Sequence, residues 1–226
     1  MPLRDDQIKR YSRHLLMREF SGAAQERLLR SRVRIHGTGS SAELCVLYLA
    51  AAGVGSIRLA SRTASAVDVA RRARALNPDA AVTAGAARGP ADFVIDFARK
   101  ADSALVRRIA ASLRAGVPHV LSVSGAGAAI VKRYREGDAC PACLLRAAGF
   151  GPGDRVEVED LGAAGAAGAA GPAVAAIATL EIAGIGSPPS AAVLIDPRRA
   201  RFEDLDVRPS PACAACAALA TRRPSP

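Results

Sequence analysis

Two cysteine pairs, Cys140-Pro-Ala-Cys143 and Cys213-Ala-Ala-Cys216, constrain this chain more than any other feature, because they ask two segments far apart in sequence to meet. A Cys-x-x-Cys turn brings two thiolates to ~3.5 Å around one tetrahedral ion, and two such turns complete a four-sulfur zinc site. Sulfur at all four positions leaves the ion no open coordination site, so the zinc reads as structural. The competing readings are disulfides and a redox pair. Reduced thiols in a cytosolic chain argue against the first, and neither pair follows an early strand as a redox motif would. The fifth cysteine, Cys45, lies mid-helix among Leu44, Val46 and Leu47 and reads as an inert buried thiol.

Hydrophobic patterning predicts alternating strands and helices. Asp5–Leu16 and Ala23–Leu29 read as helices ahead of any strand. Strands follow at Val33–Ile35, Ser56–Ala60, Ala80–Ala84, Phe93–Phe97 and Val117–Ser122. Helices separate them at Ala42–Ala52, Ala64–Leu76 and Ser103–Ala115. Such alternation implies a Rossmann-like α/β fold: a mostly parallel sheet with helices on both faces. After Ser124 the pattern changes. A longer strand at Ala128–Arg135 and a late pair, Val193–Asp196 and Arg201–Leu205, suggest a mixed or antiparallel C-terminal extension tied down by the zinc clasp.

Gly37-Thr38-Gly39-Ser40-Ser41-Ala42 after the first strand is a GxGxxA turn, whose following helix end favours an anion. Ser40 with Glu43 reads as a capping box, which sets a carboxylate against that anion. The second strand ends in Ser61-Arg62-Thr63, without the acid that holds ribose hydroxyls in dinucleotide sites; Arg62 there could accept the 2′-phosphate of NADP or simply be solvated. His14, His36 and His119 form no evident ligand set, and His119 reads as core. Asp92 and Asp96 bracket an apolar strand without a carboxylate partner for acid–base work.

The chain has 226 residues and a formal net charge of +10, spread along the chain without a block of like charge. Only 4% of residues are aromatic, too few to interleave with basic side chains as stacking platforms, which argues against nucleic acid as a partner. The N-terminal residues are polar, with no apolar segment of a signal peptide. Leu161–Ile185 is apolar enough to imitate a membrane span, but it contains Glu181 and Gly171-Pro172. Gly162–Gly171 reads as a flexible lead-in and Pro172–Ile185 as a buried helix. These features describe a cytoplasmic protein that does not engage a membrane.

Several segments together resemble the ThiF/MoeB branch of the ubiquitin-activating-like superfamily. They are Gln7-Ile8-Lys9-Arg10-Tyr11-Ser12-Arg13-His14-Leu15-Leu16, Ser21-Gly22 through Leu28, Ala50-Ala51-Ala52-Gly53-Val54-Gly55, Asn77-Pro78-Asp79, both cysteine pairs, and Gly171-Pro172 to Glu181. The resemblance covers nearly the whole chain. It implies one domain over residues 1–226, with an N-terminal helical arm (1–31), a Rossmann-like core (32–124) and a zinc-clasped part (125–226) held by Cys140, Cys143, Cys213 and Cys216. It also implies a dimer, either homodimer or heterodimer with an active family member. Active relatives adenylate the C-terminus of a small carrier protein, using ATP and magnesium.

Carried over residue by residue, most of that equipment is absent. The turn at Gly37 and Gly39 is poorer in glycine than the family's. The acid after the second strand is replaced within Ala60–Thr63, leaving Arg62. The segment runs straight from Thr63 to Val67-Asp68-Val69-Ala70, without the loop that carries a catalytic Arg and then a Lys, and the Thr-Asp-Asn-like run that binds magnesium reads Ala98-Arg99-Lys100. The crossover Leu144–Gly162 has no Cys for a thioester. Arg13 matches the arginine that reaches the partner subunit's ATP. The resemblance therefore implies a catalytically degenerate member, acting as dimer partner or docking platform for a carrier protein or precursor peptide. Two alternatives stand beside it. One is a divergent ATP-dependent adenylyltransferase in which arginines such as Arg62, Arg71 or Arg99 replace lost groups. The other is an NADP-linked reductase.

Overall fold

The computed structural model describes residues 2–86, 88–125, 127–149, 161–186 and 191–219. Two compact units divide the chain, Met1–Phe93 with Gly171–Pro188, and Val94–Ala170 with Pro189–Pro226.

In the first unit, helices α1 (Asp5–Arg10), α2 (Ser12–Leu15) and α3 (Gly22–Arg30) precede strand β1 (Arg32–His36). Helix α4 (Ser40–Ala52), β2 (Ser56–Leu59), α5 (Ala64–Leu76) and β3 (Ala81–Ala84) follow. The strands are parallel in the order β3-β2-β1, with Ile35 opposite Leu59 and Ile57 opposite Val82. Alternation along each strand sends Val33, Ile35, Ile57, Leu59 and Val82 to one face, where they are buried. Helices α4 and α5 pack against each other and against β2 and β3 to supply the cover.

The N-terminal arm is fastened by polar contacts rather than by a long apolar face. The sequence suggests one helix over Asp5–Leu16, but the chain breaks at Tyr11 into α1 and α2. The break turns Tyr11 inward, 2% exposed, so that its hydroxyl donates to Asp79 Oδ2 at 3.0 Å and accepts from Asn77 Nδ2 at 2.9 Å. Arg10 and Arg4 pair with the same Asp79 carboxylate at 2.6 and 2.9 Å. Burial alone would raise the Asp79 carboxyl; donors from Arg4, Gln7, Tyr11 and Arg10 outweigh it and hold the group below the ordinary carboxylate value. Buried Gln25 on α3 donates to Ala52 O and meets His14 Nδ1 at 2.9 Å. The close approach explains Gly53, at φ +91°: a Cβ there would stand 2.5 Å from Gln25 Nε2 and 2.8 Å from Tyr11.

The second unit holds most of β4 (Phe93–Ala98), then α6 (Ser103–Arg114), β5 (His119–Gly125), β6 (Ala128–Tyr134), α7 (Pro141–Ala147), β7 (Ala192–Asp196), β8 (Arg201–Leu205) and α9 (Ala214–Leu219). Strands β4 and β5 are parallel, whereas β6, β7 and β8 add on antiparallel. This is the Rossmann-like α/β sheet with an antiparallel C-terminal extension that the patterning predicts. Leu105, Ile109, Leu121, Ile130 and Tyr134 form the core here, together with three of the clasp cysteines.

The alanine-rich segment differs from its reading as a flexible lead-in. Helix α8 (Leu161–Ala183) runs unbroken through Gly162–Gly171, with Pro172 inside it. The small residues serve close packing: a Cβ on Gly171 would lie 2.4 Å from the Ser41 carbonyl of α4. Ala164–Ala183 is long and apolar enough to cross a membrane by length and composition. However, Ala166, Ala170, Val174, Ala175 and Ala178 are buried within the fold.

Asn77 is the least replaceable polar residue of the first unit. Its amide also donates to Ala50 O at 2.7 Å, and its carbonyl accepts from Asp79 N. Asn77→Ala leaves buried acceptors unmet and should lower stability by about 2 kcal/mol in urea denaturation, with protease cleavage appearing first near Tyr11.

Candidate functional site

The four cysteines assemble inside the second unit. Cys140 caps α7, whose first residue is Pro141, and Cys143 lies one turn on; Cys213 immediately precedes α9 and Cys216 sits within it. All four Sγ atoms lie within 4.8 Å of one another, with Cys140–Cys213 at 3.7 Å and Cys143–Cys216 at 3.6 Å. Tetrahedral zinc with Zn–S of ~2.3 Å requires sulfurs ~3.8 Å apart, so the donor set fits the metal in number, chemistry and spacing. The Cys140 amide points at Cys216 Sγ, 3.4 Å away.

The thiols are unequal. Burial pushes Cys140 and Cys143 up, while the Cys216 amide and the Cys140 side chain bring half-buried Cys213 down to about 7. A metal must displace protons from the raised pair, so zinc binding should weaken as pH falls. Cys45 is fully buried, its thiol pushed far up by burial, as an inert core residue should be.

A second cluster gathers where β1 and β2 end. Because the two strands are parallel and in register, the turn at Gly37 (φ +99°) and Gly39 (φ +104°) shares one sheet edge with the Ala60–Thr63 connection. Arg62 is exposed on that connection. The connection is short because Thr63 caps α5 directly, accepting from Ala66 N, and Ser61 Oγ pairs with Thr63 Oγ1. The capping box read at Ser40 is not formed. Gly39, which has no side chain, is the cap, and Ser40 is already helical. Glu43 turns instead to α5, accepting from Ser65 Oγ and lying 3.9 Å from Arg72. Arg13 on α2 is exposed and has no ion-pair partner among the described residues, unlike Arg10.

Strand β4 ends in exposed Arg99 and Lys100, with Lys100 3.6 Å from Asp102, the cap of α6. The acid of this strand, Asp96, is 1% exposed and turned inward. Arg108 Nε donates to it at 2.9 Å, and His119 Nε2 lies 3.0 Å from its Oδ2, off the hydrogen-bond direction. His119 Nδ1 meets Ser112 Oγ at 3.0 Å. This Ser112–His119–Asp96 row has the residue types of a hydrolytic triad but is closed to substrate: His119 is fully buried. Sequence reading correctly places His119 in the core but misses its partners. The available signal was an acid and a histidine in two strands that are otherwise apolar.

The crossover Leu144–Gly162 lies largely outside the described residues.

No family model matches the chain. It is 30% identical to the molybdopterin-synthase adenylyltransferase of Escherichia coli (strain K12), across 95% of this chain and 98% of that protein. The enzyme of the same description from Salmonella typhimurium is 28% identical over the same shares. A shorter stretch of 55 residues is 47% identical to the adenylyltransferase and sulfurtransferase MOCS3 of Arabidopsis thaliana, covering 24% of this chain and 12% of that one. Among solved structures, E. coli MccB superposes with a TM-score of 0.69 at 18% identity, over 92% of this chain and 72% of that one.

Two outcomes test these clusters. Cys213→Ser should release bound zinc at neutral pH and lower the melting temperature, read by metal analysis and calorimetry; unchanged values would remove the clasp. For Asp96, burial raises the carboxyl but His119 and Arg108 outweigh it, so its native value lies below the unfolded ~3.9. Its contribution is therefore present above about pH 4 and is lost as pH falls through the native value. Asp96→Asn should be less stable at neutral pH and should lose less of its remaining stability on acidification, measured by urea midpoints across pH.

Proposed function

Because this chain belongs to the ThiF/MoeB family of ubiquitin-activating-like adenylyltransferases, we propose that it keeps the family's scaffold without adenylation chemistry of its own. It works as the dimer partner of an active member, or as a docking platform for a small carrier protein or precursor peptide.

The observation that carries this reading is the end of β4. Where the resemblance implies a magnesium-binding carboxylate, Arg99 and Lys100 stand exposed, and Asp96 is committed to Arg108 and His119. A cation at ~4 Å from a metal site repels each unit of metal charge by about 4 kcal/mol at an effective dielectric of 20. The residues present therefore do not fit a magnesium–ATP complex. The Ala60–Thr63 connection, which passes directly into α5, supports the loss of the loop that would bring a catalytic Arg and Lys. Gly37, Gly39 and Arg62 remain as a turn and a cation open to a lone anion.

Arg13 retains a role in trans: exposed and uncommitted, it is available to a partner subunit's nucleotide. The four cysteines hold a structural zinc that ties α9 to α7. Homodimer and heterodimer are both compatible with this reading, and partner assembly decides between them.

A divergent adenylyltransferase is the second reading, favoured by identity to the E. coli enzyme along nearly its full length. ATP–pyrophosphate exchange separates the two. The purified chain with a carrier ending in Gly-Gly should give no exchange above background, whereas robust exchange would establish the second reading. In the presence of an active family member co-purified from the native host, Arg13→Ala should slow that member's exchange about a hundredfold or more.

A further inference from the structure

The three parallel strands of the first unit have one covered face and one open face. Val33, Ile35, Ile57, Leu59 and Val82 are buried on one side; Arg32, Arg34, Ser56, Arg58, Ala81 and Thr83 take the opposite side. There Ala81 and Thr83 are exposed and the arginines half-exposed. Parallel sheets are ordinarily covered on both faces. The cover comes from helices in the connections, which need a dozen or more residues. Here the connection from β3 to β4, Gly85–Asp92, has eight, and its described residues contain no helix.

What the short connection offers the open face is backbone. Arg88 O accepts from Arg58 Nη1 at 2.7 Å and Gly89 O accepts from Arg34. Asp92 pairs with Arg32 at 2.7 Å. Carbonyls satisfy hydrogen bonds without neutralising charge. Among the described residues, Arg34, Arg58 and Arg88 have no carboxylate within ion-pair distance. The Arg34 Nε is shielded from water and has no acceptor. In register, Arg34 lies beside Arg58, which lies beside Thr83.

We propose that this face docks an acidic segment of a partner protein, whose carboxylates pair with Arg34, Arg58 and Arg88. A guanidinium takes a carboxylate in two parallel hydrogen bonds. Adjacent strands set the arginines ~4.8 Å apart, and the same face of one strand repeats every ~6.6 Å, the pitch of alternate side chains in an extended peptide. Ser56, Ala81 and Thr83 leave room over the strands. No Phe, Tyr or Trp stands among them to stack bases, so the face suits carboxylates rather than single-stranded nucleic acid. The inference is independent of whether the chain adenylates anything.

The test is fluorescence anisotropy of the full chain with a labelled peptide of alternating Glu and Ser. Binding should saturate, weaken as salt rises, and fall about tenfold or more in Arg34→Glu/Arg58→Glu. Arg88→Glu should show the same loss, and it keeps the fold even where the double variant does not, since the loop uses the Arg88 carbonyl and not its side chain. Arg107→Glu, on exposed α6 surface, should bind normally. The proposal is overturned by absent binding, by binding unchanged in Arg88→Glu, or by an equal loss in Arg107→Glu. An oligothymidylate of matched charge binding as tightly would also overturn it, as would self-association that the charge reversals abolish in sedimentation.

Discussion

A parallel sheet cannot cover itself, and this constraint organises the first unit. Each strand alternates, so each face needs an outside element, and only the connections can bring one. The β1–β2 and β2–β3 connections carry α4 and α5 to one side and bury Val33, Ile35, Ile57, Leu59 and Val82. The β3–β4 connection is too short to serve the other side, and that side is arginine-rich instead of apolar. The composition of the strands matches the missing cover: an apolar open face would aggregate, whereas a cationic one stays in water.

The same economy appears in how acids are used. Asp79 gathers Arg4, Arg10, Gln7 and Tyr11, converting the N-terminal arm from a loose pair of short helices into part of the fold. Asp96 is consumed by Arg108 and His119, and Asp92 by Arg32. The carboxylates of these strands and turns thus stabilise the scaffold. The exposed positions around the Gly37 turn and after β4 carry Arg62, Arg99 and Lys100. These carboxylates are thus committed inside the scaffold, while cations stand at the exposed strand ends.

The cysteine clasp supplies what the C-terminal segment lacks. Helix α9 is six residues long and built mostly of alanine, so its side chains are short, Cys216 and Leu219 being its buried residues. Four thiolates around an ion would hold it against α7 far more firmly than that contact alone.

The sequence by itself determined the fold class, the cysteine partners and the cationic ends of β2 and β4, since each depends on local periodicity or fixed spacing. It also held the family resemblance, because the Arg10-Tyr11 and Asn77-Pro78-Asp79 segments are legible as motifs. Their purpose was decided in three dimensions, where distant segments meet around Asp79. Tertiary contacts likewise drew Glu43 away from a cap to α5, and kept the glycine-rich start of α8 helical through Pro172, where weak local propensity is overruled by packing. The Asp96–His119–Ser112 row and the uncovered arginine face are products of register and connection length. The length of the Gly85–Asp92 connection is legible in the sequence, but which strands lie side by side, and so which side chains share a face, is not carried by local patterning.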